Sequence, residues 1–152
     1  MRQQRGHALA LVAADDGRGP HVEGECAKRE GGGFDVHARV AGDVAYCKAE
    51  GVEVGAYDLI GWTRDPGRGW AALDASGHDT GNACMSSGWG DWLQGQMLAF
   101  GAATGLSNVE TDGPYAGYAC SNASHGHTEA NSVQLQSRKM AQLYTALRNA
   151  GN

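Results

Sequence analysis

Apolar residues near the C-terminus recur at the spacing of an α-helix. The positions that repeat every three or four residues are Val133, Met140, Leu143, Tyr144 and Leu147. They share one face of a helix, so the pattern predicts an amphipathic helix with its apolar stripe against a core. Asn131, with Gln134 three residues later, fits a capping box at its start. Gly151 is a typical C-terminal stop.

Two similar stripes predict two more helices. The first is expected over about 36–50, where Asp35 is the cap and the stripe consists of Val36, Val40, Val44 and Cys47. The second is expected over about 91–104, where Asp91 is the cap and the stripe consists of Leu93, Met97 and Phe100. A glycine follows each helix, Gly51 in the first case and Gly105 in the second.

A strand-like run follows each of these glycines, and another precedes the first helix. The runs are ALALVAA at 8–14, VEVGAYDLI at 52–60 and LSNVET at 106–111. Strands that alternate with helices of this length indicate parallel pairing through right-handed crossovers. The sequence therefore predicts one α/β domain over 1–152, built from three βα units at 8–50, 52–104 and 107–149.

The last helix ends in the same glycine that introduces a strand elsewhere in the chain. We therefore expect the 152 residues to be part of a longer protein, truncated at the C-terminus. The alternative is a complete small three-layer α/β domain. An incomplete sheet would leave strand edges unpaired, so we also expect such a piece to self-associate.

The loops predicted after the strands are far longer than those predicted after the helices. They span roughly 15–34, 61–90 and 113–130, whereas the connections after the helices have one or two residues. The 24 glycines of the chain suit long structured loops. In parallel α/β proteins the carboxyl ends of the strands carry function, so this face is predicted to bind a ligand.

Charge and hydropathy argue against two classes of partner. The chain has 12 Lys and Arg against 17 Asp and Glu, a formal charge of −5, which argues against nucleic acid and provides no basic membrane patch. The sequence contains no run of about 18 apolar residues, so it predicts no transmembrane helix. Arg2 and Arg5 before a short apolar run weakly resemble a signal peptide, although a buried strand fits better. The compartment stays open.

Three carboxylates lie near the ends of predicted strands. Asp58 is near the end of the second strand, and Glu110 and Asp112 are near the end of the third. Residues two apart in a strand point to the same side, so Glu110 and Asp112 would face a common space. Glycosidic bond cleavage uses one ionised and one protonated carboxyl group. The alternative is that these acids cap helices or hold loops.

Tryptophans and a cysteine–histidine group add to the chemistry of the predicted loops. Indoles stack on sugars or fill cores: for Trp62 we favour a ligand platform, and for Trp89 and Trp92 core packing. Cys120, His125 and His127 could ligate a metal, although such histidines more often hold a substrate or a loop. We therefore predict no metal and no cofactor.

The remaining cysteines give no clear zinc pattern. The chain has four cysteines and no C-x-x-C pair among them, so a zinc site built from cysteines alone is not indicated. They are Cys26, Cys47, Cys84 and Cys120. Cys84 and Cys120 both fall in predicted loops after neighbouring strands. We expect them to approach each other closely enough to form a disulfide if oxidised.

Four segments together resemble a melibiase-like, α-galactosidase-related family of TIM-barrel proteins. They are GAYDLIGWTR at 55–64, CMSSGWGDWL at 84–93, VETDGPYAGYAC at 109–120 and SHGHTEANSVQLQ at 124–136. The resemblance implies three βα units of a (β/α)8 barrel and a carbohydrate substrate. Glu110-Thr111 replaces the lysine–aromatic pair that usually precedes the catalytic aspartate in such relatives.

The resemblance also implies a retaining glycoside hydrolase. Asp112 would be the nucleophile, with the general acid outside this chain. The residues that would line the sugar site are Asp58, Trp62, Arg64, Glu110, Tyr115, His125 and His127. Two alternatives remain: a carbohydrate-binding module without chemistry, and a metal-dependent hydrolase that uses His125 and His127.

Overall fold

The computed structural model describes residues 10–12, 21–23, 36–61, 69–112 and 117–151. The strands are β1 (Ala10–Val12), β2 (His21–Glu23), β3 (Gly55–Leu59), β4 (Ala71–Leu73), β5 (Asp79–Ala83) and β6 (Asn108–Asp112). The helices are α1 (Val36–Ala49), α2 (Gly88–Thr104) and α3 (Glu129–Asn149), with a short 3-10 turn at Ala123–His125. The predicted α/β class is confirmed in the coarser form of a mixed α/β arrangement, and the described residues include the three predicted helices. None of the helices described here is both long and apolar enough to cross a bilayer.

Four short strands form one sheet in the order β2-β1-β3-β6. β1 pairs with β3 in parallel, with Val12 opposite Tyr57, as the sequence predicts. β2 lies within the predicted first loop and pairs with β1 in antiparallel fashion. The sheet is therefore mixed rather than wholly parallel, and the described strands do not close into a barrel.

The chain divides into two compact units, and the first has an aliphatic core. The first unit includes α1, most of β3 and the segment Ala99–Glu110. Its buried core consists of Val40, Val44, Cys47, Val54 and Leu106, with Phe100 packed against it. Three of these residues belong to the apolar stripe predicted for α1, which explains why the stripe located that helix correctly.

The second unit comprises Leu59–Leu98 and Thr111–Ala150. It contains an antiparallel hairpin, β4 with β5, inside the region that the sequence predicts to be one long loop at 61–90. That prediction was wrong because the first four residues of β5 are polar or glycine, and its first three are exposed. A strand with so little apolar character gives no alternating pattern to detect.

Two helices begin earlier than predicted. α2 starts at Gly88, and the Ser87 hydroxyl accepts a hydrogen bond from the Trp89 amide at 3.1 Å, so Asp91 is not the cap. Asp91 instead forms an ion pair with Lys139 at 2.7 Å. α3 starts at Glu129, which makes Thr128 the cap.

The apolar stripe of α3 also differs from the prediction at its start. Asn131 is the third helical residue, and its side-chain oxygen accepts from the Thr128 amide at 2.9 Å. Val133 is exposed, whereas the neighbouring polar residue Ser132 is fully buried. Met140, Leu143 and Leu147 are buried as predicted. The first turns of α3 therefore bury the polar side chains of Ser132 and Gln136.

Candidate metal centre

Four side chains with metal-binding atoms converge in the second unit. They are Cys84, Cys120, His125 and His127, and their ligand atoms all lie within 4.8 Å of one another. Cys84 directly follows β5, His125 ends the 3-10 turn, and His127 lies two residues before α3. Cys84 and Cys120, which are 36 positions apart in sequence, thus lie in the same cluster.

Each cysteine sulfur lies beside one imidazole nitrogen. The Cys84 Sγ is 3.2 Å from the His127 Nε2, and the Cys120 Sγ is 3.5 Å from the His125 Nδ1. The two imidazole rings meet edge to face, with centroids 5.6 Å apart. Two sulfurs and two nitrogens thus face a common centre, which is the donor set of many zinc sites.

The cluster is buried, and burial disfavours charge on its members. Cys84 and Cys120 are 0% exposed, and His127 is 7% exposed. Burial raises the pKa of the Cys84 thiol to about 12, and the nearby Cys120 adds to the increase. Burial and the adjacent His125 lower the pKa of His127. Thiolates in this place therefore require a compensating cation.

The contact between His125 and a backbone carbonyl favours the tautomer that a metal ligand needs. Its Nε2 lies 2.8 Å from the carbonyl oxygen of Gly69. A carbonyl only accepts, so Nε2 carries the proton, and Nδ1 is left with a lone pair directed toward Cys120. A metal-bound histidine commonly donates its second ring N–H to a backbone carbonyl in this way.

His127 has a buried ring nitrogen with an unmet hydrogen-bonding need. Its Nδ1 has no hydrogen-bond partner among the residues that the structure describes. A buried imidazole that only filled space would leave this polar atom unpaired at a cost of about 1–3 kcal/mol. Coordination through Nε2 would leave the proton on Nδ1, so the free energy of metal binding would have to exceed this cost.

Buried polar side chains of α3 hold the two segments that carry the cysteines. The fully buried Gln136 accepts from the Met85 amide at 3.2 Å and donates to the Tyr118 carbonyl. One turn earlier, the Ser132 hydroxyl accepts from the Cys120 amide at 3.1 Å. The start of α3 thus fixes the backbone on either side of the centre.

The β4 strand supplies a second support for the same segments. The Cys84 amide donates to the Trp70 carbonyl at 2.9 Å, and the Ser121 amide donates to the Leu73 carbonyl at 2.9 Å. Cys84 and Cys120 also pack together with Ala72 of β4 in one buried cluster. The hairpin and α3 therefore hold the cysteines from two sides.

Three tryptophans of the second unit form a compact aromatic cluster. The ring centroids of Trp70, Trp89 and Trp92 are separated by 5.1–5.7 Å. Trp89 is fully buried and donates its indole N–H to the Ile60 carbonyl at 2.9 Å. The core role favoured for Trp89 is confirmed, and Trp92 is half-buried at the edge of the cluster.

The carboxylates predicted from the strand ends are not among the four residues of this cluster. Asp58 is buried in β3, whereas Glu110 and Asp112 in β6 are exposed. Trp62, Arg64 and Tyr115, which the resemblance assigns to a sugar site, lie outside the described residues. Of the predicted site residues that the structure describes, His125 and His127 lie in the cluster.

The sequence identified three of the four cluster residues as potential ligands and paired the fourth with one of them. The sequence presents Cys120, His125 and His127 as possible ligands and predicts that Cys84 lies near Cys120. The approach of the two sulfurs is confirmed, and both residues are thiols rather than a disulfide. Gln136 and Ser132 had no sequence signal beyond being polar residues on a helix with an apolar stripe.

Comparison with known proteins gives no family for this chain. No protein-family model matches it, and no curated protein or solved structure does so. The sequence resemblance to α-galactosidase-related proteins therefore gains no support from these comparisons.

Proposed function

We propose that this chain is a metal-binding protein whose second unit is organised around a structural zinc ion. The observation that carries the proposal is the convergence of four ligand atoms, two sulfurs and two imidazole nitrogens, within 4.8 Å of one another. Four protein ligands fill a tetrahedral zinc site and leave no position for a substrate. A closed set of this kind favours a structural over a catalytic role.

The donor types favour zinc over the hard cations. Magnesium and calcium prefer oxygen ligands, and the cluster contains only cysteine and histidine. Thiolate and imidazole donors suit zinc and other soft or borderline transition metals. Burial of both sulfurs also suits a dication, whose charge is matched by two thiolates.

A metal ion here would join parts of the second unit that are distant in sequence. It would tie the end of β5 to the segment that leads into α3. Since such a site does not exist in the unfolded chain, the free energy of metal binding adds to the free energy of folding. The short β4–β5 hairpin, which lacks a large apolar face, gains most from such a tie.

Metal analysis of the purified, reduced protein tests this proposal. We expect about one zinc ion per chain, and with Co²⁺ a tetrahedral spectrum with sulfur-to-metal charge-transfer bands. Cys84→Ser and Cys120→Ser should each lose these bands. Cys47→Ala is the matched control, because Cys47 is also a buried thiol but packs in the aliphatic core of the first unit. Metal content that is unaffected by Cys84→Ser and Cys120→Ser would contradict the site.

A carbohydrate-active barrel enzyme is a second candidate function. The sequence resemblance supports it, and Asp112 ends β6 with an exposed side chain, a position from which a carboxylate can reach a bound sugar. In this reading the chain supplies three βα units of a (β/α)8 barrel and the nucleophile Asp112. Hydrolysis of a panel of aryl glycosides that Asp112→Asn abolishes would support it. Turnover that Asp112→Asn leaves unchanged would contradict it.

A further inference from the structure

We propose that the metal centre is regulated by oxidation: a two-electron oxidant such as a peroxide joins Cys84 to Cys120 in a disulfide, and the metal ion is released. The release step rests on the proposed metal site. The disulfide step depends only on the two thiols.

The two sulfurs are close enough to bond after a small local movement. They lie within 4.8 Å of each other, compared with an S–S bond of about 2.05 Å. A rotamer change at either cysteine moves its sulfur by a distance of the same order. Cys84 follows the last residue of β5, and Cys120 lies in a stretch without helix or strand. Neither cysteine lies within a helix or a strand, so rotation of the side chains can bring the sulfurs together while the backbone hydrogen bonds of Cys84 and Cys120 stay in place.

The reaction balances with peroxide as the only co-reactant. Each thiolate gives up one electron and the S–S bond forms, while the O–O bond of the peroxide breaks. Its two oxygens take up these electrons and two solvent protons and leave as two water molecules. The ion leaves with its two positive charges, so charge is conserved. In the metal-free protein the two thiols supply the protons themselves.

Oxidation removes half of the ligand set. Disulfide sulfurs are neutral and donate weakly, so only His125 and His127 remain as strong ligands. Two imidazoles do not complete the four-coordinate site that zinc occupies in closed centres. The bond that forms therefore replaces the metal ion as the link between the end of β5 and the segment before α3.

The burial pattern indicates where the oxidant enters. Cys84, Cys120 and His127 are buried, whereas His125 is only half-buried. A small oxidant therefore reaches the sulfurs past the His125 ring, next to Cys120. Larger disulfide reagents are expected to react much more slowly than hydrogen peroxide for the same reason.

The test uses the zinc-loaded chain and an equimolar amount of hydrogen peroxide. A chromogenic chelator should record release of the bound zinc, and a reductant should allow the protein to take it up again. Non-reducing peptide mapping should show a Cys84–Cys120 cross-link. The digestion requires a protease that cuts at acidic residues, because no Lys or Arg lies between the two cysteines.

Variants separate the possible outcomes. Cys47→Ala should release zinc and form the cross-link as the unmodified chain does. Zinc that stays bound after oxidation, or that leaves without a Cys84–Cys120 cross-link, would overturn the proposal. A chain that forms the cross-link but never carries metal would contradict the metal site and the release step, and would leave the disulfide step standing.

Discussion

At the residue scale, the two histidines of the centre differ in how they are held. His125 is oriented by its hydrogen bond to the Gly69 carbonyl, and its Nε2 also lies 3.1 Å from the Asn122 side-chain amide. His127 is held by burial, and its Nδ1 has no partner within the described part of the chain. His127 therefore has fewer hydrogen bonds to orient its ring than His125 has, and the proposed metal site requires both histidines.

Replacing His127 should weaken metal binding more than replacing a supporting group would. We expect His127→Ala to weaken zinc binding by more than the roughly 10–100-fold that loss of an outer hydrogen-bond partner costs. Competition with a chromophoric chelator measures the affinity. His78→Ala is the control, because His78 is exposed in the β4–β5 turn beside Asp74. Equal affinities of the two variants would exclude His127 as a ligand.

The glycine at 117 is required by close packing as well as by its backbone angle. Gly117 has a φ of +85°, and a Cβ there would lie 2.6 Å from the Cβ of Gln136. Gly126 has a similar φ of +71° with open space around it. Both Gly→Ala variants carry a backbone cost of about 1–2 kcal/mol, and only Gly117→Ala adds a clash.

Denaturant unfolding of these two variants separates the two costs. We expect Gly117→Ala to lower the free energy of unfolding by at least about 1 kcal/mol more than Gly126→Ala does, since overpacking typically costs 1–3 kcal/mol. Similar losses in both variants would mean that Gln136 moves away freely and does not hold the site rigidly.

At the element scale, α3 serves both a core and the metal centre. Its later turns bury Met140, Leu143 and Leu147, whereas its early turns bury Ser132 and Gln136. The two polar residues are one turn apart and therefore face the same side of the helix. One helix thus aligns the two cysteine-bearing segments while its other turns hold the hydrophobic core.

Removing the Gln136 side-chain amide should affect the metal before it affects the helix. We expect Gln136→Leu to weaken zinc binding by about 10–100-fold, because the Met85 and Tyr118 backbone groups lose their common partner. Tyr144→Phe is the matched control on the same helix. It removes the 2.9 Å hydrogen bond to Thr111 of β6 and leaves the bonds of Gln136 to Met85 and Tyr118 in place.

We expect Gln136→Leu to lose zinc affinity and Tyr144→Phe to keep it, so both the affinity and the free energy of unfolding of the two variants should be measured. A Gln136→Leu protein that keeps its zinc affinity but loses stability would show that Gln136 has a folding role only. Partial recovery of affinity in Gln136→Glu would support positioning, because the carboxylate keeps the acceptor for the Met85 amide.

The sequence predicts the helices well because apolar stripes determine them. Val40, Val44 and Leu143 lie on such stripes and are buried. The β4–β5 hairpin is missed because the sequence of β5 is almost entirely polar. The centre is only partly predicted, because the proximity of Cys84 to His127 depends on how the hairpin and α3 fold together, which no local pattern encodes.

At the scale of the whole molecule, the metal centre belongs to one of two units. Its four ligands, the hairpin that supports it and the whole of α3 lie in the second unit. The first unit has its own aliphatic core around Val44 and Leu106. Metal should therefore change the stability of one unit much more than that of the other.

Removal of the metal should split the unfolding of the chain into two steps. A ligand present at about 100 times its Kd adds about 2.7 kcal/mol of stability to the state that binds it. With a chelator, we expect amide hydrogen exchange in β4, β5 and the start of α3 to accelerate. Exchange in the middle of α1 should change little. Uniform acceleration in both units would contradict a local role for the metal.

Trp70 joins the metal centre to the aromatic cluster through its own backbone. The Trp70 carbonyl accepts a hydrogen bond from the Cys84 amide, and the carbonyl of the preceding residue, Gly69, lies beside His125. The Trp70 indole packs on Trp89 and Trp92. The protein therefore contains an intrinsic optical reporter. Emission excited at the indole band should be quenched when Co²⁺ or Cu²⁺ enters, by energy transfer to the metal. Zinc should shift this emission without quenching it, so occupancy can be followed without any label.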